Sequence, residues 1–450
     1  MSIRMDRRRC VAMLAGSAVG GALSRTVLAS GRRSAAAEPR IDAARLQAAL
    51  EQISTYGRPA GGSFADGVSR VAYSDADVAG RTYVMGLMRA AGLEPRVDAA
   101  GNITATRAGS DPSRKPIVIG SHIDSVPGGG NFDGQLGSMA AIEVVRTLND
   151  QRLTTRHPLE VTLWSNEEGG PIGSSAVVQD IPSATLERRF NGVRMRDGLL
   201  KIGGDPDHLA QARRAPHSLH CYLELHIEQG GVLAKAGIPI GVVDGIVSID
   251  EYDVEVQGFA NHAGTTPMGE RRDALLAAAK VVEAVREIAT RTAGRQVGTV
   301  GRFEVFPNAP NVVPGRVLLS VEFRDLSAAT IERLGEETAA RLQQIARDTD
   351  TAITMKRALH DDPALADVRI QKQIEIAAAG LGLQTMHMPS GAGHDAQNLA
   401  KLAPMGMIFI PSIGGISHSP KELSRWSDCA SGADVLLRTV LRVDQSDLEV

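Results

Sequence analysis

Ile117-Val118-Ile119-Gly120-Ser121-His122-Ile123-Asp124, running through Ser125 to Phe132 into Asp133-Gly134, is the stretch on which the fold turns. A short apolar run ends in glycine and a His-x-Asp triplet, and a helix patterned from Leu136 to Leu148 follows. The same texture recurs at Leu159 to Trp164, Tyr222 to Leu225 and Met407 to Ile410. Short apolar strands alternating with helices predict an α/β fold whose mostly parallel sheet is covered on both faces. Upstream, Ala43 to Thr106 reads as two helices and two strands: Asp75 to Ala91 has helical period, Ser74 as N-cap and Gly92 as stop, and Gly101-Asn102 turns a hairpin.

Between Asp250 and about His360 the pattern changes. Tyr252, Val254 and Val256 alternate with charged residues. A helix from about Arg272 to Ala289, strands Val297 to Val305 and Val317 to Phe323, a helix capped by Ser327 and a strand near Thr351 to Met355 follow. That order, β-α-β-β-α-β, is ferredoxin-like. The expected organisation is a metal-binding catalytic domain over residues 38–248 and 363–450, interrupted by an inserted α+β lid or dimerisation domain over 249–362.

The 450 residues are 43% apolar and 22% charged, ordinary globular usage, which excludes wholesale disorder and fibrous classes. Residues 1–40 hold eight arginines against Asp6 and Glu38, so the remainder carries a net charge of −9. With few aromatic side chains as well, the chain is not built to bind nucleic acid. Arg7-Arg8-Arg9 leads into the uncharged stretch Cys10 to Leu23, too short for a stable membrane span. Together with Ala35-Ala36-Ala37 as a cleavage site, residues 1–37 resemble a twin-arginine export signal, which implies a periplasmic mature protein, or a cytoplasmic one if the signal is not used. Beyond it only Cys221 and Cys429 remain, so no disulfide framework supports the fold.

Four clusters carry chemistry. In extended chain, residues two apart share a face, so Asp124 is expected to brace the ring of His122, and Asp133 lies at a helix N-terminus. Alone, a histidine at a strand end reads more readily as a braced loop residue. The strand ending in Trp164 continues as Ser165-Asn166-Glu167-Glu168-Gly169, whose adjacent carboxylates diverge; one can ligate a metal while the other serves as general base. Leu225-His226-Ile227-Glu228-Gln229 repeats the His-x-acid spacing, with Glu228 as the brace. His418 precedes Ser419-Pro420-Lys421-Glu422, which reads as the capped start of a helix. Three histidines and three carboxylates without cysteine suit a two-metal site for Zn²⁺, Mn²⁺, Co²⁺ or Ni²⁺.

These segments, with Asn261 to Met268, Asn308 to Gly315 and Ser390 to Ala396, resemble the N-carbamoyl-L-amino-acid hydrolase and allantoate amidohydrolase family over roughly residues 42 to 440. The resemblance implies two divalent ions per subunit held by His122, Asp133 as bridge, Glu168, His226 and His418, with Glu167 as base. It implies that Gln229, Asn311, Arg324 and the backbone of Gly391 and Ala392 bind the substrate. His262 would stabilise the oxyanion from the partner subunit of a homodimer with shared active sites, and His394 is either a loop brace or a contact. The implied activity is hydrolysis of a C–N bond in a small carboxylate-bearing carbamoyl or ureido compound: an N-carbamoyl-L-amino acid, allantoate or β-ureidopropionate. The rivals are a related two-metal aminoacylase or peptidase and an exported binding protein without activity. One departure is local: only Gly169-Gly170-Pro171-Ile172 separates Glu168 from Gly173-Ser174, where the family commonly carries an Arg-Phe pair and a longer loop.

Overall fold

The computed structural model describes residues 39–448; the export segment lies outside them. The strands Leu159–Trp164, Ile117–His122, Cys221–Ile227 and Met405–Ile410 lie side by side in that order and run parallel. Antiparallel strands flank them, Ile103–Arg107 and Arg96–Val97 on one side and Ile240–Ile246 and Ala364–Leu365 on the other. Thr385–Ser390 adds to Ile240–Ile246 in parallel, completing nine strands. The expected mixed α/β architecture with a large central sheet is therefore present.

Its central strands are apolar throughout because both faces are covered. Ile117 and Ile119 point into one core with Leu136, Val144, Leu436 and Ile374, whereas Val118 points into the other with Trp164, Tyr222 and Leu399. Helices Ala43–Ile53, Gln135–Asp150, Val368–Gly380 and Trp426–Val443 supply the first layer; Ile172–Val178 and Asp395–Leu399 contribute to the second. Gly120 is required where it stands, since a Cβ there would meet the Thr162 carbonyl oxygen on the adjacent strand at 1.7 Å. Helix Asp75–Ala90 starts at the Ser74 cap, whose side chain accepts the Asp77 N–H. Cys221 and Cys429 are buried free thiols.

A second sheet of four antiparallel strands, in the order Val297–Phe306, Arg316–Asp325, Ser248–Gln257 and Ala352–Asp361, has its own core with helices Ala274–Arg291 and Ala328–Asp348. Tyr252, Val254 and Val256 are buried and the residues between them are not, the alternation of a sheet with one covered face. Asn261–His262 and Val312–Val313 pair as a separate two-stranded ribbon. No helix among the described residues is long and apolar enough to cross a membrane.

Candidate metal centre

Each of the four parallel strands ends in a loop that contributes to one cluster. Residues 123–134 follow Ile117–His122, 165–171 follow Leu159–Trp164, 228–231 follow Cys221–Ile227, and 411–425 follow Met405–Ile410. Parallel strands bring their C-terminal ends to one edge, where open α/β sheets collect ligands.

Asp133 stands at the centre of that edge. Its Oδ1 lies 3.1 Å from His226 Nε2 and 3.6 Å from His122 Nε2, and its Oδ2 lies 3.2 Å from His418 Nε2. Glu168 Oε2 is 3.5 Å from the same His418 nitrogen, and Glu167 Oε2 is 3.8 Å from His122 Nε2. Donor atoms of His122, Asp133 and His226 lie within 4.8 Å of one another, as do those of Asp133, Glu168 and His418. Two three-donor groups thus share one carboxylate, with one oxygen toward each. Imidazole and carboxylate without thiolate suit borderline divalent ions. Glu168 Oε1 is buried without a hydrogen-bond partner, a costly arrangement for a carboxylate that a cation would relieve.

The electrostatics point the same way. Burial pushes the Glu168 carboxyl up to about 7, and the charge of Asp133 adds to the effect. Glu167 is also raised well above the ordinary carboxylate range, by burial first. Burial opposes a charged His122, but Glu167, Asp133 and Asp124 outweigh it and hold the ring well above its usual value. His418 rises to about 9 through its hydrogen bond to Asp133. Despite burial, the three imidazoles keep Asp133 well below the carboxylate range. Negative charge packed this tightly is shared among histidine protons, which a divalent cation would displace.

Three local expectations are corrected. His122 Nδ1 faces the backbone carbonyl of Asp124 at 3.0 Å, and its carboxylate is 3.8 Å away. The Asp124 carboxylate instead accepts the backbone N–H groups of Glu167 and Glu168 at 3.3 and 3.2 Å, fixing the turn that aims the two glutamates apart. Glu228 does not brace His226 either: His226 Nδ1 faces the Ile227 carbonyl at 2.9 Å, and Glu228 caps helix Val232–Ala236 through the N–H groups of Val232 and Leu233. Both corrections still leave each ring with Nδ1 on a backbone carbonyl and Nε2 toward Asp133, the arrangement that orients a metal-binding histidine. Finally, no helix begins at Ser419. Ser419-Pro420-Lys421 is a turn, and the next helix is Trp426–Val443.

That turn delivers Glu422, whose part in the site was not read from the sequence. Its Oε1 accepts the N–H groups of Phe132 and Asp133 at 2.9 and 3.1 Å, and its Oε2 accepts the Ser417 hydroxyl at 2.8 Å. Ser417 Oγ also lies 3.1 Å from Asp133 Oδ2, so its single proton is shared between the two carboxylates. Glu224, likewise unread, is buried beneath His226 and accepts from the Ser121 and Tyr222 hydroxyls. The alternation Tyr222, Glu224, His226 against Leu223, Leu225 carried that signal. His394 packs edge-on against the His226 ring at 4.5 Å between centroids, within 2.8 Å of Ser390 Oγ.

A cavity of about 340 Å³ opens over the cluster, lined by Glu167, Glu168, Gln229, Arg324, Ala392 and His418 among others. Gln229 donates to Asp133 Oδ2 at 2.8 Å, while its Oε1 is buried without a partner. Arg324, on the second sheet, holds Glu322 with Nε and Nη2 and donates from Nη1 to the Gly391 carbonyl at 2.7 Å. His262 and Asn311 are not among the lining residues. They sit together on the exposed ribbon, where Ala263 donates to the Asn311 carbonyl and His262 Nδ1 accepts from Gly264 and Thr265.

Fold and site together define a hydrolase class with metal-ligating loops at the carboxyl ends of a parallel sheet. Residues 118–442 match the family described as peptidase family M20/M25/M40, and the chain belongs to it. It is 40% identical over 413 residues to the N-carbamoyl-L-amino acid amidohydrolase of Geobacillus stearothermophilus, covering 90% of this chain and 100% of that protein. It is 33% identical to the allantoate amidohydrolase of Escherichia coli, covering 87% of this chain and 95% of that one. Among solved structures it resembles an amidase of the hydantoinase/carbamoylase family from Burkholderia multivorans, with TM-score 0.83 and 35% identity over 90% of this chain and 99% of the other.

Glu422→Gln tests the support of the centre. With its carboxylate charge removed from the Phe132 and Asp133 N–H groups, Asp133 is held less firmly, and metal affinity is expected to fall ~10- to 100-fold. Titration with Zn²⁺ against a competing chelator measures it; unchanged affinity would leave Glu422 with only a folding role.

Proposed function

We propose that this protein hydrolyses a C–N bond in a small carbamoyl or ureido compound bearing a carboxylate, N-carbamoyl-L-amino acids being the first candidates. The observation that carries the reading is the cavity itself. It joins a shared-carboxylate donor cluster, a second glutamate whose Oε2 lies 3.8 Å from His122 Nε2, and a guanidinium. The similarity to carbamoyl- and allantoate-hydrolysing relatives supports the same reading.

His122, Asp133 and His226 would hold one divalent ion, and Asp133, Glu168 and His418 a second. Bound there, the ions would supply Lewis acidity toward a carbonyl oxygen and lower the pKa of water. Glu167, next to a ligand yet facing His122, takes the proton of the attacking water and returns it to the leaving nitrogen. The planar fork of Arg324 receives the substrate carboxylate in two parallel hydrogen bonds, competing with Glu322 for the guanidinium. Gln229 offers an unpaired acceptor to a ureido N–H. With an N-carbamoyl amino acid the products are the amino acid, CO₂ and ammonia.

The domain division at 249–362 belongs to the same proposal: the second sheet acts as lid and dimerisation domain of a homodimer. His262 serves the partner's site as oxyanion donor, and Asn311 hydrogen-bonds the substrate. The exposed position of His262 on the ribbon, away from the cavity of its own chain, supports action in trans. Export of the mature chain through residues 1–37 rests on the arginine run and the apolar stretch after it.

Metal-loaded protein is expected to release ammonia from N-carbamoyl amino acids, and Glu167→Gln to keep its metal while losing ~10²- to 10⁴-fold in rate. Release of a free acyl acid from N-acyl amino acids without ammonia from any ureido acid would make it an aminoacylase instead. Metal loss matching the activity loss in Glu167→Gln would make Glu167 a ligand.

Co-expressing His262→Ala and Glu167→Gln chains, each inactive alone, tests sharing. Action in trans gives every hybrid dimer one intact site, so activity returns to roughly a quarter of wild type under random pairing. Confirmed hybrids without recovered activity would refute it.

A further inference from the structure

Beside the metal cavity lies a larger groove of about 590 Å³. The two share Gln229 and Ala392 in their walls. We propose that this groove is the subsite for an apolar side chain of the substrate amino acid, so that the preferred substrates are N-carbamoyl derivatives of bulky apolar amino acids. The proposal rests on the ureido reading above and extends it.

The groove's own chemistry argues for an apolar occupant. Met386, Met388, Pro389 and Val232 contribute hydrocarbon and thioether surface, and methionine adapts to occupants of differing shape. The charged groups on its walls are engaged with protein partners. His387 is held between Asp244 at 2.7 Å and Glu375 at 2.8 Å. Arg295 bonds Asp244 at 3.2 Å, and Glu228 is spent on the N–H groups of Val232 and Leu233. With these groups engaged, an apolar ligand covers the methionine, proline and valine surface by displacing water and breaks no pair.

The junction argues for one molecule spanning both cavities. Gln229 has φ of +60°, a left-handed backbone uncommon outside glycine. Its Nε2 is on Asp133 and its Oε1 is buried without a partner. Arg324 reaches the Gly391 carbonyl, and Gly391 is itself part of the groove wall. A substrate with its carboxylate at Arg324 and its C–N bond at the metal cluster would therefore have its α-carbon near the junction and its side chain at the groove. Three fixed points on one tetrahedral carbon also select one enantiomer.

Val232 tests this without touching the core. Its side chain is exposed, and only its backbone N–H holds Glu228. The readout is the ratio of kcat/KM for N-carbamoyl-L-leucine and N-carbamoyl-L-phenylalanine to that for N-carbamoylglycine, with metal-loaded full-length protein. Val232→Trp, which fills the groove, is expected to lower the ratio about 10-fold or more, the scale on which apolar pockets discriminate. Met386→Glu, which puts a charge on another residue of the groove wall, is expected to lower it likewise. Folded variants with an unchanged ratio, or with equal losses on all three substrates, would overturn the groove assignment while wild-type turnover kept the ureido reading. An unchanged ratio with altered oligomeric state would make the groove a contact between copies and overturn it too. No turnover of any ureido acid by wild type would overturn both readings.

Discussion

The carboxylate of Asp133 lies within 3.6 Å of three imidazole nitrogens, and the rest of the site is arranged around keeping it there. Burying an anion is expensive unless it is paired and hydrogen-bonded, so each neighbour has a part. Gln229 donates to its Oδ2, the Ser417 hydroxyl shares its proton between that oxygen and Glu422, and Glu422 holds its backbone N–H. Gly134 follows with φ of +70°, and a Cβ there would meet the His122 ring at 2.3 Å. Close approach of helix Gln135–Asp150 to the histidine therefore requires glycine. Four parallel strands buried on both faces supply the rigidity that makes such distances reproducible.

The strands and the donor residues were legible because both are written locally. Apolar runs bounded by glycine and polar clusters mark strand ends, and the donors sit at those ends. The braces were less legible because the His-x-acid argument assumes that the chain stays extended past the histidine. It does not: the strands stop at His122 and Ile227, and Gln229 is already left-handed. Once pleating ends, residues two apart no longer share a face, so Asp124 and Glu228 turn to backbone N–H groups instead. Ser419-Pro420 misled for a related reason, since serine before proline starts a turn as readily as a helix. Glu422 then bonds Phe132 and Asp133, which no local pattern could announce.

The second sheet explains why the substrate side is harder to read than the metal side. Arg324 reaches across to Gly391 on the large-sheet side, and Arg295 to Asp244, so the two parts meet along a polar seam beside the cavity. Arg324 lines the metal cavity, whereas His262 and Asn311 stand on a ribbon outside it. A reading of one chain can supply the donors and the base. In the proposed reading the closing groups come from a second chain, which a symmetric dimer would supply to both sites at once.

The central claim is that Asp133 bridges two ions, one held with His122 and His226, the other with Glu168 and His418. Anomalous diffraction at the manganese edge from crystals grown with Mn²⁺ tests it most directly. The account predicts two peaks, one beside each oxygen of Asp133. A single peak, or two peaks that do not share that carboxylate, would contradict it.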